Sequence, residues 1–191
     1  YYLEWKDDGF TEHQTERDIV DIEVEEYCEG IPGKLEKQLF ALFYKKRFLD
    51  LIHNFVIFDK GIKKGCRYNQ YYAIKRAQHR LTDKKRGGII WHTQGSGKSL
   101  TMVMLAKRII ADKTIVSPRF VLVCDRLNLI KQLRDNFVHT GMDPVEATTG
   151  RGLVSLLKDG ANTLIATTIN KFEAAAKSRA RIQDDNIFLM I

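Results

Sequence analysis

The feature that most constrains this chain is the run from Gly88 to Ser99, in which four residues with an apolar centre, Gly88 to Trp91, pass into His92-Thr93-Gln94-Gly95-Ser96-Gly97-Lys98-Ser99. A short strand, a glycine-rich loop and a helix opening at Lys98 together form a cradle for a nucleoside triphosphate. Backbone N–H groups around Gly95 and Gly97 can converge on phosphate oxygens because glycine accepts dihedrals that other residues resist. The helix that follows turns its positive end toward the same anion. Lys98 is placed to neutralise the β- and γ-phosphates, and the Ser99 hydroxyl to reach Mg²⁺. The loop residues Thr93, Gln94, Gly95, Ser96, Gly97, Lys98 and Ser99 are therefore the candidate ATP- or GTP-binding set.

The strict pattern G-x-x-x-x-G-K-[ST] asks for glycine where His92 stands, so the assignment leans on context. A buried strand over Gly88–Trp91 is expected before the loop. Behind it, Leu100, Val103, Met104, Lys107 and Ile110 follow a three-to-four-residue period that predicts a helix from Lys98 to Ala111.

With 191 residues and 44% hydrophobic side chains, the chain can bury one sizeable α/β core plus an appendage. Its apolar stretches, such as Phe55–Phe58 and Ile187–Ile191, are strand-length and far short of the roughly 18 residues a bilayer requires. No membrane association is expected. The first residues show neither a signal peptide nor an initiating Met, which suggests that the chain begins inside a longer polypeptide. Cys28, Cys66 and Cys124 are widely spaced and odd in number, a usage that fits reduced thiols in a cytoplasmic protein better than a disulfide framework or a zinc site.

Charge is segregated along the chain. Residues 1–30 hold eleven Asp and Glu against Lys6 and Arg17, whereas residues 60–86 hold ten Lys and Arg against Asp83. The basic stretch fits a polyanion or the triphosphate itself, and equally a solvated cationic helix face. The acidic head, residues 1–33, ends in the turn cluster Gly30-Ile31-Pro32-Gly33 and reads as a linker or the end of a preceding domain.

From Lys34 to about His53, the spacing of Leu35, Leu39, Leu42, Phe43, Leu49 and Ile52 predicts one amphipathic helix. A short strand over residues 54–59, a turn over residues 59–65 and a helix near Asn69–Leu81 follow. Beyond the loop, strands at Phe120–Cys124, Thr163–Thr168 and Ile187–Ile191 alternate with helices at Leu127–Phe137, Leu153–Leu157 and Asn170 to about Ile182. Strands that are apolar throughout and separated by helices argue for an α/β fold: a parallel sheet flanked by helices, with ligands at the carboxyl ends of the strands. Residues 34–191 are expected to form one nucleotide-binding lobe, with 34–86 as its helical lead-in. Nucleotide hydrolysis also needs a carboxylate to order the Mg²⁺ shell and another to orient water. Neither is identifiable, so both are expected beyond Ile191, and the fragment alone is expected to be inactive.

From about Leu35 onward the chain resembles the restriction (motor, R) subunit of type I restriction-modification enzymes, in helicase superfamily 2. Four runs carry the resemblance: Phe48-Leu-Asp-Leu-Ile-His-Asn-Phe-Val-Ile-Phe58, Arg67-Tyr-Asn-Gln-Tyr-Tyr-Ala73, Gly87 to Met102, and Thr167-Thr-Ile-Asn-Lys-Phe172. The third is the most specific, because His92 is what that family carries at this position. The resemblance implies a P-loop NTPase lobe of RecA type, the first of two, in an ATP-dependent double-stranded DNA translocase. It implies ATP and Mg²⁺ as cofactors, and as partners double-stranded DNA with the modification and specificity subunits. It further implies that Arg67 and Gln70 form an adenine-reading element; a Gln amide can donate to N7 and accept from the exocyclic amine. Spacing alone would also suit Gln70 as a helix-surface residue.

By the same resemblance Arg126, Thr167, Thr168 and Lys171 are DNA contacts, while Arg126 could equally pair with Asp125 or cap a helix. Asn170 stands where Gln is commoner in the family. The family's nuclease centre has no match here, since Asp21-Ile-Glu-Val-Glu25 lacks the lysine it needs. Other superfamily 2 motors, an RNA helicase or a type III restriction subunit, would share the loop but not the His92 context. A P-loop kinase would require an acceptor pocket and an arginine-rich lid.

Overall fold

A computed structural model of the chain describes Glu26 and residues 33–84, 87–161, 163–178, 182 and 186–191. The acidic segment with Asp21–Glu25 and Cys28 falls outside these residues. The chain divides into two units, Tyr1–Ile57 with Lys64–Ser96, and Phe58–Lys63 with Gly97–Ile191.

In the first unit, residues 34–54 form two helices where the apolar spacing predicts one: α1, Lys34–Phe43, and α2, Lys45–Asn54. Tyr44 leaves helical geometry at φ −49°, ψ 119°. The five-residue step from Phe43 to Phe48 does not fit a 3.6-residue period, and those two rings flank the break with centroids 5.1 Å apart. Breaking a helix frees carbonyls, and Arg47 takes one of them, its buried Nη1 donating to Ala41 O at 2.6 Å. The same guanidinium lies 5.8 Å from the centroid of the Tyr72 ring.

Strand β1, Val56–Asp59, forms where a short strand is expected, and it pairs as a hairpin with β2, Ile62–Gly65, where the sequence suggests only a turn. Lys60 and Gly61 both have positive φ, 52° and 78°, which is the two-residue turn that matches strand twist. A long helix, α3, runs over Tyr68–Lys84. Phe55, Cys66, Tyr71, Tyr72 and Ile74 are buried, and the Phe55 and Tyr71 rings meet at a tilt of 53° with centroids 4.9 Å apart. Asp50 joins α2 to α3, accepting from Asn54 Nδ2 at 2.6 Å and from Lys75 Nζ at 3.1 Å.

The expected strand over Gly88–Trp91 does not form. Ile89 and Trp91 are 92% and 90% exposed, and no strand pairs with this run among the described residues. Four residues with an apolar centre become a strand only where a neighbour supplies a hydrogen-bonding edge, and that information is not local.

The second unit carries the parallel sheet that the alternation predicts. Helix α4, Lys98–Ile110, precedes β3, Arg119–Cys124, and α5, Leu127–His139. Then come β4, Val145–Glu146; α6, Gly150–Asp159; β5, Leu164–Thr168; α7, Ile169–Lys177; and β6, Ile187–Met190. The strand order is β4-β5-β3-β6 with every neighbouring pair parallel. Helix α7 ends at Lys177, short of the expected Ile182. The sequence gives no hint of β4, which is only two residues long. Central strands β3 and β5 are buried along almost their whole length, whereas β6, expected to be buried, is half exposed.

Alternate residues of the central strands serve opposite faces. Val121, Val123 and Ile165 pack with Ala147 and with Leu153 and Leu157 of α6, joined by Phe172 and Ala175 of α7. Helix α5 packs against β3 and β5 through buried Ile130, Leu133 and Phe137, residues outside that cluster. Arg119 is buried at the start of β3, and its Nη2 donates to Leu156 O at 3.2 Å and Leu157 O at 2.9 Å. It thereby caps the last turn of α6, where a cation suits the negative helix end.

Candidate functional site

The loop beginning at Thr93 is ordered by its own small side chains. Ser96 is buried; its hydroxyl donates to Thr93 O at 2.8 Å and its N–H reaches the same carbonyl at 3.4 Å. Gly95 has φ 76°, and a Cβ built there would meet nothing within 4 Å, so backbone conformation rather than space requires glycine. His92 Nδ1 is buried without a hydrogen-bond partner among the described residues.

Gly97 is the N-cap of α4 and has left-handed geometry, φ 85°, ψ 36°. Having no side chain, it makes no side-chain cap bond to the first turn, a helix start of the kind that accepts an anion. Its carbonyl accepts from Thr101 N at 3.0 Å and from Thr101 Oγ1 at 3.2 Å, which fixes the helix start. Lys98 and Ser99 are the first two helical residues, and there is no acidic side chain in that first turn to compete with an anion. These features fit a bound phosphate. Among the described residues no three His, Cys, Asp or Glu side chains are grouped to hold a metal ion, so Ser99 is the candidate ligand there.

Gln70 is not a helix-surface residue. It is 3% exposed, and its Oε1 accepts from Arg67 N at 2.9 Å across the first turn of α3. A carbonyl oxygen has two lone pairs, so this bond leaves acceptor capacity. Arg67 itself is exposed.

The expected DNA contacts lie in the second unit, at or just beyond the carboxyl ends of β3 and β5. Arg126 is the N-cap of α5 without a side-chain cap bond; its Nε lies 3.4 Å from Asp125 Oδ2, and its side chain is 79% exposed. Arg126 thus pairs with Asp125 while its side chain stays largely open to solvent. Thr168 is the N-cap of α7, again without a side-chain cap bond. Thr167 is wholly buried and its hydroxyl turns to Thr168 O at 3.5 Å, so it supports the strand end and does not face solvent. Lys171 lies on the first turn of α7 with Nζ 3.9 Å from Glu146 Oε1. Sequence reading misses Glu146, because it closes a strand too short to leave a pattern.

A parallel sheet with a glycine loop opening a helix defines the class, and comparison with known proteins agrees: the chain belongs to the SWI2/SNF2 ATPase family, which matches residues 69–191. Nucleotide use follows from that membership.

Within this class the chain is similar to endonuclease subunits of type I restriction enzymes, as the motifs imply. It is 32% identical to the putative MjaIXP endonuclease subunit of Methanocaldococcus jannaschii over 86% of this chain and 17% of that protein. It is 36% identical to the HindI endonuclease subunit of Haemophilus influenzae over 60% of this chain and 12% of that protein. Against the SsaAORF53P endonuclease subunit of Staphylococcus saprophyticus the identity is 30%, over 70% and 14%. The chain thus spans about a sixth or less of the length of these relatives. Among the described residues no helix is long and apolar enough to cross a membrane.

Proposed function

We propose that residues 34–191 are the first RecA-like motor lobe of an ATP-dependent double-stranded DNA translocase, part of a type I restriction endonuclease acting in the cytoplasm with modification and specificity subunits. Residues 34–86 serve as its lead-in. The observation that carries this reading is the start of α4: two glycines at positive φ, a glycine N-cap with no side-chain cap bond, and Lys98 and Ser99 as the first helical residues.

In this reading the N–H groups from Thr93, Gln94, Gly95, Ser96 and Gly97 onward hold the ATP phosphates, and Lys98 neutralises charge on the transferring γ-phosphoryl. The Ser99 hydroxyl would be one ligand of a bound Mg²⁺, whose positive charge would offset that of the phosphates. Gln70, set by Arg67, discriminates adenine. Arg126, Thr168 and Lys171 touch DNA phosphates, with Thr167 holding the turn from beneath. Contacts to phosphates predict weak sequence preference and strong salt dependence.

The test is Lys98→Ala in the full-length protein. DNA-stimulated ATP hydrolysis is expected to fall at least about a hundredfold, the scale for losing a charge-stabilising group, with the circular dichroism spectrum unchanged. Retained hydrolysis would remove Lys98 from this role. Stimulation by RNA but not duplex DNA would point to another superfamily 2 motor, and ATP turnover indifferent to both would point to a kinase.

A further inference from the structure

Glu146 ends β4 in register with Ala166, two residues before the Thr168 turn of β5. Its carboxylate stands between cations from two helices. Lys171 Nζ of α7 is 3.9 Å from Oε1, and Arg134 Nη1 of α5 is 4.0 Å from Oε2. Side-chain exposures of 29% for Glu146, 23% for Lys171 and 41% for Arg134 leave all three within reach of solvent. Asp143 also approaches Arg134, at 3.8 Å, but its side chain is 80% exposed. Arg134 Nε is buried and has no hydrogen-bond partner among the described residues, so any contact with an approaching anion falls to the Nη groups.

Ion pairs at these distances and exposures are weak and exchange readily for another anion. A carboxylate so placed does two things to Lys171: it holds the ammonium at the α7 start, and it competes with any phosphate that approaches. We propose that Glu146 is an internal counter-ion for Lys171 and Arg134, and that by this competition it sets how tightly the β5–α7 face binds the DNA backbone. The inference rests on the reading of Lys171 as a DNA contact and extends it to Arg134, which no sequence motif marks. Weakened grip has a use in a translocase, because a motor that steps along DNA has to release phosphates as easily as it takes them.

The experiment measures binding of a labelled DNA duplex of mixed sequence to the full chain at low and at physiological ionic strength. Glu146→Gln keeps the side-chain shape and removes the charge. It is expected to tighten binding about threefold to tenfold at low salt and to steepen the salt dependence. Glu173→Gln changes net charge equally on α7, at an exposed position with no ion pair among the described residues, and is expected to change affinity less than about twofold. Lys171→Ala weakens binding, and Glu146→Gln added to it gains markedly less than on its own.

If the wild type binds no duplex, the assignment of this face fails and this inference with it. If the wild type binds and Lys171→Ala weakens it, yet Glu146→Gln changes nothing or Glu173→Gln gains as much, the role of Glu146 alone is overturned. Should Glu146→Gln perturb β4, Glu146→Asp retracts the carboxylate from both cations and is expected to move affinity the same way by a smaller factor.

Discussion

Gly150 of α6 and Ala174 of α7 approach so closely that a Cβ added at Gly150 would lie 2.8 Å from the Ala174 Cβ. It would also lie 3.1 Å from Ala175 N and from Lys171 O, so the glycine sets how near the two helices come. In a helix interior Gly→Ala ordinarily stabilises by about 0.5–1 kcal/mol, an upper bound for Gly150 at the first position of α6. Here overpacking, which costs about 1–3 kcal/mol, opposes and exceeds that gain.

Gly150→Ala is therefore expected to lower the urea midpoint of the full chain without changing the slope. Ala174→Gly in the same chain removes the nearest atom and is expected to recover part of the loss. A stabilised single variant would show that the seam yields freely.

Cys66 gives a pH dependence of definite sign. Burial, followed by a bond from its own backbone that pulls the other way and the nearby Asp50 charge that adds to it, leaves the thiol pushed up to about 12. In an unfolded chain a thiol titrates near about 8.5. The folded state favours the protonated form, so this contribution is complete below about pH 8.5 and is lost as pH climbs toward about 12. Through that window the unfolded chain gives up its proton first, at up to ~1.4 kcal/mol per pH unit. Urea unfolding at about pH 8 and about pH 10 is expected to show a larger loss for the wild type than for Cys66→Ala. Equal losses would remove Cys66 as the cause.

Gln70→Glu separates two jobs of one side chain. A carboxylate keeps an acceptor for Arg67 N–H, observed at 2.9 Å, but has no amide N–H to donate. With Gln70 as the adenine reader, ATP affinity is expected to fall about tenfold, the scale of one unsatisfied buried polar group, while GTP binding stays weak and unchanged. Titration with both nucleotides checks it; equal losses for ATP and GTP would assign Gln70 to the helix start alone.

Much of the second unit was legible because its signals are local. Phe120–Cys124 and Leu164–Thr168 are too apolar for any place but a sheet interior, and Gly97-Lys98-Ser99 announces a helix start. What stayed hidden depends on partners distant in sequence. Nothing around Tyr44 in the sequence says that Arg47 will satisfy the carbonyl a broken helix frees. Residues 88–91 look like a strand, but the edge they would pair with is not written in them. Of the candidate site, the loop residues were legible by spacing. The burial of Gln70 and Thr167, and the approach of Glu146 to Lys171, arise only from packing.

Trp91 stands almost bare to water one residue ahead of His92, and the only other tryptophan of the chain is Trp5. An indole so placed emits at long wavelength and shifts to the blue when a neighbour covers it. Substituting Phe for Trp5 would therefore leave the protein with its own optical gauge beside the glycine loop, able to register in real time whatever comes to rest against that segment.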